Sequence, residues 1–121
     1  MNLERRPNLF IIGAMKSGTS SLHAYLGTHP SVFMCEPKEP GYFVEQLNLK
    51  RGRGWYSKLF HGAEGASIRG ESSTEYTKAP MYGGVPQRLA EFNPQAKIIY
   101  LMRDPIERSI SHYWHMVRWH G

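Results

Sequence analysis

The sequence predicts an α/β fold of three layers, a parallel sheet flanked by helices, incomplete at its C-terminal end. Three observations predict it. A short apolar run, Asn8 to Ile12, passes through a glycine loop straight into a helical pattern at Thr19 to Leu26. Apolar runs and helical patterns then alternate along the chain, and the strand-like "AKIIYLM", Ala96 to Met102, leads into another helical pattern. Strands separated by helices pair in parallel, because each crossover is long enough to pack a helix on the sheet.

The elements follow in order. "NLFII" is apolar throughout, as suits a strand buried on both faces. From Thr19, the residues Leu22, Tyr25 and Leu26 share one helix face, and Gly27 is a stop signal. Val32 to Met34 predicts a brief strand, after which Pro37, Pro40 and Gly41 force an irregular loop. Lys50 to Gly54 reads as a basic, glycine-broken turn before a short helix from Trp55 to Phe60. A weak strand is expected around Ile68, and a helix from Val85 to Phe92 ended by Asn93 and Pro94. After Ala96 to Met102, Asp104 as N-cap, Pro105 at the first helical position and Glu107 three residues past the cap form a capping box, predicting a helix that carries Trp114 and Val117. There is no internal repeat and no low-complexity linker, so residues 1–121 are expected to be one domain, the N-terminal part of a longer one whose remainder covers those apolar side chains.

Composition narrows the classes. With 121 residues, 40% hydrophobic and 12% aromatic, the chain is neither disordered nor collagen-like. The net charge of +5, from 15 Lys and Arg against 10 Asp and Glu, favours an anionic partner without choosing one. A single cysteine, Cys35, excludes an internal disulfide and fits a reducing, cytoplasmic setting; it reads as a small buried residue at a strand end. Leu9 to Ile12 is too short for a signal-peptide core, and no apolar run approaches the ~20 residues of a membrane span. His112, His115 and His120 read as a helix surface rather than a metal site, and Tyr113, Trp114 and Trp119 as packing rather than a nucleic-acid platform. Neither a membrane nor a nucleic acid is expected as partner.

The loop "GAMKSGTSS" carries the chemistry. Gly13, Gly18 and Ser20 keep the spacing of the phosphate loop G-x-x-x-x-G-K-[ST], but Thr19 stands where its lysine belongs and the lysine lies inside, at Lys16. Such a loop turns successive N–H groups and a helix N-terminus toward one anion, to which Lys16, Thr19 and Ser20 add a charge and two hydroxyls. Arg103, at the end of the later strand, is suited to grip a second phosphate, and Ser111 shares a helix face with Asp104. The bland readings are an ion pair of Arg103 with Asp104 or Glu107, and a solvated Ser111. Ligands of parallel sheets collect at the carboxyl ends of the strands, which puts both sites on one edge and suggests a nucleotide with phosphate at two positions.

These stretches, "GAMKSGTSSLHAYLGTHPSV", "KEPGYF" and "IIYLMRDPIERSISHYWH", in this order and spanning Pro7 to His120, resemble the P-loop sulfotransferases that use 3'-phosphoadenylyl sulfate (PAPS). The likeness is to the branch holding heparan sulfate sulfotransferases and soluble bacterial relatives. The resemblance implies that Lys16, Ser17, Gly18, Thr19 and Ser20 hold the 5'-phosphosulfate, Lys16 near the bridging oxygen, and that Arg103 and Ser111 bind the 3'-phosphate. It implies Glu39 as general base on a hydroxyl or amine acceptor, such as a glycan, with Glu36 as competitor and no metal. Gly41 replaces a polar residue of the relatives and is expected to loosen its loop, while the lack of a lysine at Ser72 or its neighbour speaks against heparan-sulfate specificity. Two other functions stand beside this one: a nucleotide phosphotransferase or kinase with a divergent loop, and a non-catalytic nucleotide-binding fragment. Against the kinase stand the missing lysine at position 19 and the lack of a clear Mg²⁺ carboxylate after a strand.

Overall fold

The computed structural model describes residues 5–14, 18–36, 38–78, 82–103 and 114–120, with Arg103 and 114–120 described by backbone alone. Its central strand, β1 (Leu9–Gly13), is buried along its whole length. β1 pairs in parallel with β3 (Ile68–Ser72) on one side and β4 (Lys97–Arg103) on the other. β2 (Val32–Met34) pairs in parallel with β3, and β5 (Trp114–His120) closes the other edge, giving the order β2-β3-β1-β4-β5.

Alternation along β1 builds the two outer layers. Phe10 and Ile12 face one side, where Tyr56 and Phe60 from and beside α2 (Gly52–Lys58) and Val85 and Leu89 of α3 (Val85–Phe92) join them in one cluster. Leu9 and Ile11 face the other, where Leu22 and Leu26 of α1 (Thr19–Leu26) pack with Met34 and Ile99. The three-layer α/β architecture expected from the sequence is thus present, and β1, α1, β2 and α3 start and stop within a residue of expectation. Cys35 is fully buried just after β2, as expected.

Three local expectations are corrected. Tyr25 does not join the buried face of α1: it is 70% exposed, and His23 turns inward instead. The imidazole finds two partners there, Ser72 Oγ at 2.6 Å from Nδ1 and the Cys35 carbonyl at 3.2 Å from Nε2, so its burial leaves no polar atom unpaired. The basic segment is not a broken turn, since a 3₁₀ turn over Leu49–Arg51 runs into α2 from Gly52. Buried Tyr56 anchors that helix, and the Arg51 guanidinium lies 5.2 Å from the Trp55 ring centroid one turn on.

The third correction concerns the C-terminal segment. The capping box at Asp104, Pro105 and Glu107 lies outside the described residues, but Trp114–His120 is a strand rather than the continuation of a helix. It pairs antiparallel with β4 over seven positions, from Lys97↔His120 to Arg103↔Trp114. The outer edge of β4 offers a row of backbone donors and acceptors, and a segment with two Trp and one Val among its seven residues suits that ladder. The sheet is therefore parallel over four strands, with one antiparallel edge strand.

Candidate active site

The ends of β1 and β4 lie side by side, Gly13 in register with Tyr100 and the Ala14 N–H donating to the Leu101 carbonyl at 2.8 Å. Ala14, just past β1, and the Arg103 backbone at the end of β4 therefore lie at the same edge of the sheet. Gly13 is required by a close approach: a Cβ there would sit 2.9 Å from a ring carbon of Tyr100 and 3.2 Å from Thr77 Oγ1. Gly18 is required by its backbone, at φ 87° in the left-handed region, where it opens α1 with no side-chain cap. Thr19 behind it is buried and Ser20 is exposed. Lys16, Ser17 and Ser111, and the Arg103 side chain, lie outside the described residues.

Glu39 comes to this same edge from the loop after β2. Its backbone is left-handed, at φ 61°. For a residue with a Cβ that conformation costs roughly 1–2 kcal/mol, so the surroundings must hold it. They do so at the carboxylate: the Thr74 N–H donates to Oε1 at 2.9 Å, and the Thr74 hydroxyl donates to the same oxygen. Lys38 Nζ stands 3.9 Å from Oε1. Burial raises the Glu39 pKa, but the Thr74 hydroxyl and amide bonds, with Lys38 and Lys78 nearby, outweigh it and leave the carboxyl below its usual range. Among the described residues, Oε2 takes no bond.

Glu36 points elsewhere. It is exposed and lines an open cleft with His23, Ala24 and Thr28 beside α1, away from Thr74. Of the two carboxylates left open by the sequence, Glu39 alone meets the end of β3.

The loop beyond Glu39 is tied down, which corrects the expectation that Gly41 loosens it. The Gly41 N–H donates to Ser73 Oγ at 3.0 Å, and the Pro40 carbonyl accepts from Asn48 Nδ2 at 2.7 Å. The Phe43 N–H donates to the Tyr76 hydroxyl at 3.4 Å, and the Phe43 carbonyl accepts from Arg88 at 2.9 Å. Gly41 is itself buried, with φ 58°.

Sequence reasoning missed three residues here: Thr74, which holds Glu39, and Glu71 with Ser73, which support the loop. One signal was available, a carboxylate in the middle of a strand at "RGES", where a charged side chain must find partners if its strand is central. Ser72 faces the α1 side and bonds His23. A partly open, apolar-walled cleft of about 450 Å³ lies beside the site between α3 and the β1–β4 pair, lined by Ile12, Tyr76, Leu89 and Ile98; it offers no cation and is not a phosphate cradle.

A strand, glycine turn and helix opening at the carboxyl edge of a parallel sheet define an α/β protein of the class that binds its ligand at that edge. The chain belongs to the sulfotransferase family: the model of the sulfotransferase domain matches residues 6–121. It is 37% identical over 116 residues, 93% of its length, to the membrane-associated sulfotransferase kil1 of Dictyostelium discoideum. It is 33% identical over 124 residues, 98% of its length, to the human bifunctional heparan sulfate N-deacetylase/N-sulfotransferase 2. The crystal structure of a sulfotransferase from Alicyclobacillus acidocaldarius superposes with a TM-score of 0.73 at 36% identity over 86% of the chain. The chain spans 24% and 14% of those two curated relatives and 47% of that solved structure.

Proposed function

We propose that this chain carries the donor-binding front part of an enzyme that transfers the sulfuryl group of PAPS to a hydroxyl or amine acceptor, such as a glycan. The observation that carries the reading is Glu39, an ionised carboxylate held by Thr74 at the edge where the β1 and β4 ends meet. Family membership supports the donor, and the uncapped N-terminus of α1 behind Gly18 suits a phosphate.

In this reading Lys16, Ser17, Gly18, Thr19 and Ser20 hold the 5'-phosphosulfate, and Arg103 and Ser111 the 3'-phosphate. Glu39 Oε2 takes the proton of the acceptor O–H or N–H as the acceptor atom attacks sulfur. The bond from sulfur to the bridging oxygen breaks, and the electron pair stays on the phosphate of the departing adenosine 3',5'-bisphosphate. Lys16 and the loop N–H groups stabilise that developing charge. A lysine placed within the loop serves a single phosphate, whereas a lysine after the second glycine reaches the terminal phosphates of a nucleoside triphosphate. Cys35 as the single cysteine supports a cytoplasmic, reducing setting.

The test is binding and transfer together. Adenosine 3',5'-bisphosphate should bind the chain in preference to ATP with Mg²⁺, and labelled sulfate should pass from PAPS to a hydroxyl or amine acceptor in a Lys16-dependent way. Preference for ATP with Mg²⁺, or transfer unchanged in Lys16→Ala, refutes the reading.

A further inference from the structure

The end of β3 holds Glu39 in two ways. Thr74 binds its carboxylate, and its neighbours Ser73 and Tyr76 bind the backbone that follows it. Behind both lies Glu71, fully buried and in register with Phe10 on the side of the sheet that α2 covers. Ser73 Oγ donates to Glu71 Oε1 at 2.7 Å, Tyr76 OH donates to Oε2 at 3.0 Å, and Tyr56 OH donates to the same Oε2.

The direction of these bonds matters. A hydroxyl has one hydrogen. With the hydrogens of Ser73 and Tyr76 turned to Glu71, only their lone pairs face the loop, and those accept the N–H groups of Gly41 and Phe43. A proton on Oε2 would leave this pattern in place, since Tyr56, which bonds no loop N–H, can turn to accept it. A glutamine at position 71 cannot preserve it. Its NH₂ presents donors either to Ser73 or to the two tyrosines, so a hydroxyl that serves the loop loses the acceptor that fixed its hydrogen, which is then free to turn toward the N–H it had accepted.

We propose that Glu71 is a positioning residue for Glu39: by fixing the hydroxyls of Ser73 and Tyr76 as acceptors toward the loop, it docks residues 39–43 on the end of β3 and keeps the Glu39 carboxylate at Thr74. This rests on the reading of Glu39 as the base. Burying a carboxyl among Tyr56, Tyr76 and Phe10 without such a role would be costly, whereas an apolar side chain would fill the space at no such penalty.

Two variants of the full chain test it, Glu71→Gln and Ser73→Ala, the second removing only the Gly41 link. Hydrogen exchange should quicken about ten-fold or more at Gly41 in Ser73→Ala, and at Gly41 or Phe43, according to which side the glutamine NH₂ faces, in Glu71→Gln, with the β1 amides unchanged. Unchanged exchange at Gly41 in Ser73→Ala, or at both Gly41 and Phe43 in Glu71→Gln, overturns the proposal. In sulfate transfer, Glu71→Gln should lower kcat roughly ten- to a hundred-fold, with the Kd of adenosine 3',5'-bisphosphate within about two-fold of the original. Made on top of Glu39→Gln it should cost nothing further. Losses that multiply in the double variant mean that Glu71 does not act through Glu39, and overturn the positioning role. A fully active Glu39→Gln refutes the base reading instead, and the exchange rates then decide by themselves whether Glu71 docks the loop.

Discussion

Thr74 and Glu39 meet across 35 residues of sequence, the backbone N–H and the hydroxyl of Thr74 both donating to one oxygen of the Glu39 carboxylate. The contact joins the loop after β2 to the end of β3 and leaves the second carboxylate oxygen for an acceptor. Most of what the site is expected to do depends on it.

Replacing Glu39, the proposed base, should stop the chemistry and spare donor binding. Glu39→Gln is expected to lower the rate of sulfate transfer about 10²- to 10⁴-fold, with the affinity for adenosine 3',5'-bisphosphate unchanged by calorimetry. A loss of bisphosphate binding on the same scale would place Glu39 among the donor ligands instead.

Removing the Thr74 hydroxyl should move the pH profile. Its bond to Glu39 favours the ionised form and lowers the pKa, so Thr74→Val raises it. The acid limb of kcat/KM then shifts to higher pH.

Glu71 should make stability depend on pH with the opposite sign. Burial, against the bonds from Tyr56, Ser73 and Tyr76, raises its pKa from 4.5 to about 7. The folded state thus holds its proton to higher pH than the unfolded state. The contribution is full below about 4.5 and is lost as pH rises through about 7, roughly 3 kcal/mol in all. Denaturant melts at pH 5 and pH 8 should show that loss in the original chain and not in Glu71→Gln.

Gly13→Ala should destabilise the sheet beneath the loop. The added Cβ would meet the Tyr100 ring at 2.9 Å, inside normal contact, in a strand with neighbours on both sides. Overpacking of this kind costs about 1–3 kcal/mol. Thermal denaturation should show a lowered Tm, and a second substitution, Tyr100→Ala, should restore part of it.

His23→Leu should cost about 1–3 kcal/mol, because the buried Ser72 hydroxyl and the Cys35 carbonyl each lose their partner. His23→Asn or Gln, which keeps a donor and an acceptor, should recover some of the loss in the same melts.

The alternating pattern of apolar runs and helical spacing was enough to read the three layers, because one buried strand and its flanking amphipathic helices leave few other packings. β1, α1 and α3 follow from that pattern. Helical spacing also suggested a helix through Trp114 and Val117, yet residues 114–120 pair with β4. Local pattern has no means to count the unpaired backbone groups on a distant strand edge.

The sequence by itself determined the order of strands and helices, the strand end at Gly13 and the helix start behind Gly18, the burial of Cys35, and the family to which the chain belongs, since each is written in residues close together along the chain. Tertiary structure alone brought Glu39 rather than Glu36 to the end of β3, turned His23 inward in place of Tyr25, and joined Ser73 and Thr74 to a loop more than 30 residues earlier. The physical reason is that hydrogen-bond partners and burial are properties of where strands end in space. The carboxyl edge of the sheet exists only once β1, β3 and β4 lie side by side.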